Sequence, residues 1–133
     1  MKVLLVEDEE IIAVTLSDDL RDVGHDVTHT ADGAEAVRIL GDQVFDCVIT
    51  DVRLPGADGI AVLRAAKEAR PDTEVLVMTA FATVESAVAA MREGADDYIQ
   101  KPFLNPALLE RLERIGEFRA LLDENRKLRE DLS

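Results

Sequence analysis

Short continuous apolar runs alternate along the chain with segments whose apolar residues recur at helical spacing. The first run, Val3–Val6, is typical of a strand that is buried on both faces. The segment after it, Glu10–Val23, has apolar residues on one helical face and ends at Gly24. Further strands are predicted at Asp26–Thr30, Asp46–Thr50, Glu74–Met78 and Asp97–Gln100.

A further helix is predicted after each of these later strands. The helices are predicted from a cap at Asp32 to Gly41, around Ile60–Arg70, around Val84–Gly94, and from Asn105 onward. A strand followed by a helix, repeated with short connections, is the pattern of an α/β fold. It predicts a parallel sheet that has helices on both faces and right-handed crossovers.

The last predicted helix carries two apolar stripes that are one residue out of phase. Leu108, Leu112 and Ile115 form the first stripe, and the phase changes beside Gly116, which is a weak helix former. The second stripe has the alternating spacing of three and four residues that is typical of a coiled-coil seam. Its members are Phe118, Leu121, Asn125, Leu128 and Leu132.

This change of phase predicts two parts of the chain with different roles. Residues 1–116 are expected to form one domain, and residues 117–133 a helical dimerising linker that begins a coiled coil. Asn125 at a core position of the seam favours a parallel, in-register homodimer. An ordinary exposed amphipathic helix with a chance seam is the alternative.

Charge and composition narrow the classes of function. The formal net charge is -13, and residues 1–106 contain 21 of the 28 acidic residues but only nine of the 15 basic ones. Such a surface repels nucleic acid and anionic membranes, so direct binding to either is not expected. Cys47 is the only cysteine, which excludes an internal disulfide and predicts a buried thiol. Without a membrane-length apolar run or a signal-peptide pattern, the chain is expected in the cytoplasm.

Polar residues follow four of the predicted strands at the point where each strand ends. They are Glu7 and Asp8, Asp51, Thr79 and Lys101. Because parallel strands leave a sheet at the same edge, these side chains are expected to share one rim. Three carboxylates at one rim repel one another unless a cation lies among them, and oxygen ligands suit Mg²⁺.

The same residue types suit phosphoryl transfer. The carboxylate of Asp51 can act as a nucleophile toward phosphorus and form an acyl phosphate. Lys101 supplies a compact cation for the transferred group, and Thr79 supplies a hydroxyl donor. Each also has an ordinary interpretation, since acids at a strand end can be a solvated rim, Lys101 a surface lysine and Thr79 a helix cap.

In this order, these residues resemble the receiver domain of bacterial two-component response regulators, the family of the chemotaxis protein CheY. The resemblance covers residues 1 to about 115. It rests on Glu7-Asp8, Asp51 with Leu54-Pro55-Gly56, Thr79-Ala80, Tyr98 and Lys101-Pro102-Phe103. It implies a flavodoxin-like (CheY-like) doubly wound parallel sheet with strand order 2-1-3-4-5 and an extended C-terminal helix. It also implies a signalling switch that catalyses its own phosphorylation and dephosphorylation, rather than a metabolic enzyme.

The family's functional roles are implied for the matching residues. Asp51 is implied to accept a phosphoryl group from a phosphohistidine on a sensor histidine kinase, with Mg²⁺ as cofactor. Asp8, Asp51 and the backbone carbonyl of Arg53 are implied to bind the metal directly, and Glu7 is expected to reach it through water. Lys101 is implied to hold a phosphoryl oxygen, and the peptide bond between Lys101 and Pro102 to be cis.

Thr79, Ala80 and Tyr98 are implied to form the switch. Phosphorylation draws Thr79 toward the phosphoryl group, small Ala80 leaves room, and Tyr98 turns inward, which changes the surface around the last strand. A plain half-buried aromatic residue is the alternative for Tyr98. Arg53 and Phe81 are expected to add bulk at the mouth of the site and so to slow hydrolysis of the phosphoryl group.

The segment 78–103 resembles receivers of the nitrogen-regulator (NtrC-type) class, whose partner domain is a sigma-54-activating ATPase. Downstream ATPase and DNA-binding domains are therefore expected if the chain is part of a longer regulator. A stand-alone receiver, or an interaction module that is not phosphorylated, is the alternative.

Two other classes of protein require residues that this chain lacks at the corresponding positions. A phosphatase of the haloacid-dehalogenase kind needs a second acid two residues after its nucleophile, where this chain has Arg53. A flavodoxin needs a hydroxyl- and glycine-rich phosphate loop after the first strand, where this chain has acids. His25 and His29 are expected away from the rim, in solvated or structural roles.

Overall fold

The computed structural model describes residues 1–80 and 84–132, in which strands and helices alternate. The strands are β1 (Lys2–Val6), β2 (Asp26–Thr30), β3 (Cys47–Asp51), β4 (Glu74–Thr79) and β5 (Asp97–Gln100). The helices are α1 (Glu10–Asp22), α2 (Gly33–Asp42), α3 (Gly59–Ala69), α4 (Val84–Arg92) and α5 (Asn105–Leu132). The predicted elements are confirmed, with small differences at their ends.

The strands form one parallel sheet in the order β2-β1-β3-β4-β5, which confirms the predicted fold. β3 is buried along its whole length because helices cover both faces of the sheet. The direction of winding reverses between β1 and β3, so a crevice opens at the carboxyl ends of these two strands. This crevice is where the predicted rim residues meet.

The loops at this edge are held by helix caps and by the core beneath them. Asp32 caps α2, since its Oδ1 accepts hydrogen bonds from the backbone of Ala34 at 2.7 Å and Glu35 at 3.1 Å. Asp58 caps α3 in the same way, through the backbone N–H of Ala61 at 2.9 Å. Beneath them lies a hydrophobic core, whose largest buried side chains include Leu4, Phe45, Ile49, Leu63 and Met78. Cys47 is buried, as predicted.

The chain divides into two compact units, Met1–Phe103 and the part that begins at Leu104. The second unit is α5, which continues through Gly116 without a break. Leu108 and Leu112 are buried, whereas the seam residues Phe118, Leu121, Leu128 and Leu132 are exposed. The predicted domain boundary between residues 116 and 117 stays a prediction. Among the described residues, no helix is long and apolar enough to cross a membrane.

Candidate functional site

Three carboxylates converge at the carboxyl ends of β1 and β3. These strands are neighbours, with Val6 paired to Thr50, so Glu7 comes beside Asp51. Oxygen atoms of Glu7, Asp8 and Asp51 all lie within 4.8 Å of one another. Glu7 and Asp51 are buried, and Asp8 is exposed at the mouth of the crevice. The structure thus brings together the three acids that the sequence predicted at this rim.

Lys101 lies between two of these carboxylates. Its Nζ donates to Glu7 Oε2 at 2.6 Å and to Asp51 Oδ2 at 2.7 Å, and Glu9 Oε1 lies 3.7 Å away. The Lys101 side chain is 6% exposed, which excludes the alternative of a surface lysine. Its backbone N–H donates to the carbonyl of Thr79 at 2.8 Å, which ties the end of β5 to the end of β4.

The ionisation of Glu7 and Lys101 reflects burial and mutual contact. Burial raises the pKa of Glu7, and this outweighs the hydrogen bond from Lys101, which acts in the opposite direction. Burial by itself lowers the pKa of Lys101, but the hydrogen bonds to Asp51 and Glu7 outweigh it and raise that pKa above its ordinary value. Lys101 therefore remains a cation at neutral pH and stabilises negative charge on the two acids.

β2 holds the main chain of Glu7 in place. The Glu7 N–H donates to the carbonyl of Thr30 at 3.1 Å, and Nε2 of His29 lies 2.9 Å from the carbonyl oxygen of Glu7. The Glu7 side chain is also held, because its Oε1 accepts from the backbone N–H of Glu9 at 3.0 Å. The prediction that His29 lies away from the rim is therefore wrong. The contact depends on the pairing of His29 with Leu5 in the folded sheet, and the sequence contains no signal that specifies this pairing.

The loop after β3 adds a backbone contact to Asp51. The N–H of Arg53 donates to Asp51 Oδ1 at 3.2 Å, so one carboxylate oxygen faces Arg53 and the other faces Lys101. The Arg53 side chain is exposed. Its predicted roles, a carbonyl ligand for the metal and a shield against water, stay predictions.

The predicted switch residues lie along the neighbouring strand ends. Thr79 is the buried last residue of β4, and Ala80 follows it in an exposed bend. Tyr98 is half-buried, packs against the core and pairs with Val77 across β4 and β5. Phe81 lies outside the described residues. The peptide bond between Lys101 and Pro102 is cis, as predicted.

The donor set fits a hard divalent cation. Glu7, Asp8 and Asp51 offer only oxygen ligands, and Asp8 is open to water, which Mg²⁺ usually keeps in its coordination shell. Lys101 compensates only part of the negative charge of these three acids. A divalent cation can compensate the remainder, so a metal site is consistent with the electrostatics of this crevice.

Comparison with known proteins places this geometry in a family context. The response regulator receiver domain model matches residues 3–113. Over 113 residues the chain is 42% identical to the response regulator protein FleR of Pseudomonas aeruginosa, covering 85% of this chain and 24% of FleR. NtrX from Brucella abortus superposes with a TM-score of 0.81 at 33% identity, covering 92% of this chain and 28% of NtrX. The chain thus spans about a quarter of the length of these two regulators.

A second similar structure contains a metal ion. It is the receiver domain of the sensor histidine kinase PA1611 from Pseudomonas aeruginosa, with a magnesium ion coordinated in its active site cleft. Its TM-score is 0.77 at 33% identity, covering 86% of this chain and 97% of that domain.

Proposed function

Since the chain belongs to the response regulator receiver domain family, we propose that Asp51 is its phosphoryl acceptor and that a sensor histidine kinase is the donor. The observation that best supports this proposal is the position of Asp51 in a cluster of three acids, where its Oδ2 lies 2.7 Å from the buried ammonium of Lys101. An ordinary solvated rim does not place a buried lysine between two carboxylates. This arrangement suits a site where negative charge is added and must be stabilised.

The reaction is an in-line displacement at phosphorus. A carboxylate oxygen of Asp51 forms the new bond to phosphorus, and the bond from phosphorus to the histidine nitrogen of the kinase breaks, with its electron pair leaving on the imidazole. Lys101 then holds a phosphoryl oxygen with the ammonium that it presents to Asp51. Thr79, at the end of the next strand, offers a hydroxyl donor to another oxygen.

Glu7, Asp8, Asp51 and the carbonyl of Arg53 are the groups that would hold Mg²⁺. When bound, the metal supplies charge neutralisation for the transferred phosphoryl group. The similar PA1611 receiver, which contains magnesium in its cleft, supports this assignment. The raised pKa of Glu7 is consistent with an acid whose charge is costly without such a cation.

Phosphorylation is then proposed to act through Thr79, Ala80 and Tyr98. The new oxygens favour the conformer in which Thr79 moves toward them, and Tyr98 occupies the space that this movement opens beside Ala80. The position of Tyr98 at the edge of the core supports a side chain that can turn between two environments.

The output domain that the receiver would control is proposed from the similar regulators FleR and NtrX. The receiver family match describes residues 3–113 and by itself assigns no output to them, and a receiver that acts without an attached output domain is the alternative. Similarity to FleR and NtrX, which are about four times as long, supports a sigma-54-dependent ATPase as the output domain of a longer regulator of this class. The exposed seam of α5 supports a homodimer formed through Phe118, Leu121, Asn125, Leu128 and Leu132.

One experiment tests the acceptor assignment directly. The protein is incubated with acetyl phosphate and Mg²⁺, and the intact mass and the modified peptide are measured for the wild type and for Asp51→Asn. We expect one added phosphoryl group on Asp51 in the wild type and none in the variant. An unmodified wild type, or a phosphoryl group on another residue, contradicts the proposal. Asp58→Asn, in which an amide oxygen still caps α3, is the control that keeps phosphorylation.

A further inference from the structure

The loop between β3 and α3, residues 52–58, contacts the N-terminal end of α2. The backbone N–H of Gly33 donates to the carbonyl oxygen of Pro55 at 2.9 Å. The same oxygen accepts from the N–H of Ala57 at 3.1 Å. A single carbonyl thus closes the turn of the loop and joins the loop to α2.

Gly33 has no room for a side chain at this contact. A methyl group there would overlap with the carbonyl oxygen of Ala57 and lie 2.7 Å from its carbonyl carbon. Both atoms are backbone, so neither can turn away as a flexible side chain would. The glycine is therefore required for close approach of α2 to the loop.

Gly56 makes the contact from the other side. It has φ +84, a conformation that favours glycine, and a methyl group there would meet the Asp32 carboxylate, whose Cγ would be 3.0 Å away. That carboxylate is occupied in capping α2 through the N–H of Ala34 at 2.7 Å. We name the set Asp32, Gly33, Pro55 and Gly56 the α2 clasp.

The clasp constrains the segment that runs past Asp51. At the far end of the loop, the N–H of Gly59 donates to the carbonyl of Val52 at 2.7 Å. Arg53 lies between this contact and the clasp, and its N–H donates to Asp51 Oδ1 at 3.2 Å. Arg53 is therefore held on both sides, because Val52 is hydrogen-bonded to the start of α3 and Pro55 to the start of α2.

We propose that the α2 clasp positions the backbone of Arg53 relative to Asp51. Gly33 and Gly56 are then positioning residues for the metal and phosphoryl site, although neither touches it. This inference rests on the proposed function, because Asp51 and Arg53 belong to the site proposed above. Crowding the clasp must displace Ala57 or Asp32, and the displacement passes along the loop to Arg53.

The chain offers matched glycine controls for each substitution. Gly33→Ala and Gly56→Ala crowd the clasp. Gly41→Ala is the control for the first, since it also lies in α2 and nothing is within 4 Å of the added methyl group. Gly24→Ala is the control for the second, since its φ of +95 gives similar strain with nothing within 4 Å.

Two measurements report on the site in each variant. Calorimetric titration with Mg²⁺, well below the melting temperature, gives the dissociation constant. Amide chemical shifts of Asp51 and Arg53 in metal-free protein report the loop itself. We expect both clasp variants to shift these amides and to weaken Mg²⁺ binding about 10-fold, the usual scale for groups that orient metal ligands. Gly41→Ala and Gly24→Ala should keep the affinity and shifts of the wild type.

The outcomes separate this inference from the proposed function. A wild type that binds no Mg²⁺ overturns both. If both clasp variants bind Mg²⁺ with the affinity of the wild type, the clasp inference alone is overturned. It is also overturned if Gly24→Ala loses as much Mg²⁺ affinity as the clasp variants, because that would indicate a general effect of backbone strain. If the clasp variants fail to fold, hydrogen exchange in the wild type provides the test. Coupling between two sites is reciprocal, so if the clasp supports Mg²⁺ binding, Mg²⁺ must slow exchange of the Gly33 amide. Unchanged exchange overturns the inference.

Discussion

Glu7 and Lys101, which are 94 residues apart in the sequence, form a buried ion pair with 2.6 Å between Oε2 and Nζ. Their side chains are 0% and 6% exposed. Asp51 shares the same ammonium at 2.7 Å. Removing one partner of a buried pair leaves an uncompensated charge, which costs far more than breaking an exposed salt bridge. The stability of this fold and the chemistry of its site therefore depend on the same three residues.

Replacing Lys101 with methionine is expected to destabilise the metal-free protein by about 3–5 kcal/mol, the usual cost of breaking a buried ion pair. Glu7 and Asp51 would remain buried without a cation. Urea denaturation with a chelator measures the change, and adding Mg²⁺ should restore part of the loss. Lys127→Met, on the exposed part of α5, is the control and should change stability by no more than about 0.5 kcal/mol. Equal effects in the two variants would contradict the prediction.

The raised pKa of Glu7 predicts a pH dependence of stability. Between the ordinary pKa of a glutamate and its higher value in the folded state, the folded chain binds more protons than the unfolded chain. The contribution of Glu7 is therefore complete at low pH and is lost as pH rises through the folded-state pKa. In metal-free buffer, the free energy of unfolding of Glu7→Gln minus that of the wild type should increase as the pH rises from 4 to 7. Urea titrations that stay parallel over this range would refute this, and Glu113→Gln, at an exposed position of α5, is the control.

Asp8 is the proposed metal ligand whose loss should disturb the fold least, because it is exposed and forms part of the acidic cluster. Asp8→Asn should weaken Mg²⁺ binding by on the order of 10–100-fold, while the free energy of unfolding changes little. Calorimetric titration with Mg²⁺ measures the affinity. Asp18→Asn, an exposed acid on α1, should bind Mg²⁺ as the wild type does. Unchanged affinity in Asp8→Asn would exclude it as a ligand.

Arg53 is expected to lengthen the lifetime of the phosphoryl group by covering it against water. Its side chain is exposed at the mouth of the site, and its backbone lies next to Asp51. Arg53→Asn should therefore hydrolyse several-fold faster, which the decay of radiolabelled phosphoprotein measures. Arg38→Asn, an exposed arginine on α2, should decay at the wild-type rate. A short wild-type lifetime that Arg53→Asn leaves unchanged would show that the side chain provides no shielding.

Leu121 and Leu122 offer a direct test of the coiled-coil seam. They are neighbours on α5, with side chains 63% and 48% exposed, and only Leu121 belongs to the predicted seam. Leu121→Glu should weaken a homodimer by about 4 kcal/mol, roughly 1,000-fold, since the burial of two leucines is lost, one from each chain. Leu122→Glu should leave the dimer intact. Light scattering over a range of concentrations measures both, and a wild type that stays monomeric throughout would remove the dimer proposal.

The order of strands and helices was predictable because each element depends on residues that are close together in the sequence. Val3–Val6 is apolar at every position and so predicts a strand covered on both faces, whichever elements cover it. Asp32 predicts the start of α2 because a capping side chain bonds to the next turn of its own helix. The ends of β3 and β4 were harder to predict. Asp51 and Thr79 belong to the strands themselves, since each still pairs with a neighbouring strand.

Much of the site was also predictable, because parallel strands deliver their last residues to one edge. Glu7, Asp8, Asp51 and Lys101 meet there as their positions after apolar runs indicated. The contact of His29 with Glu7 was not predicted. It depends on the register of β2 beside β1, which no pattern within either strand specifies.

By itself, then, the amino-acid sequence determined the succession of elements, the edge at which the functional side chains gather and the chemistry available to them. Periodicity and strand ends are local properties, and they survive in any packing of the same elements. The tertiary structure alone decided which acids share the Lys101 ammonium and that α2 reaches Pro55 through Gly33. Such contacts join residues far apart in the chain, so they form only when the strands and helices pack closely against one another.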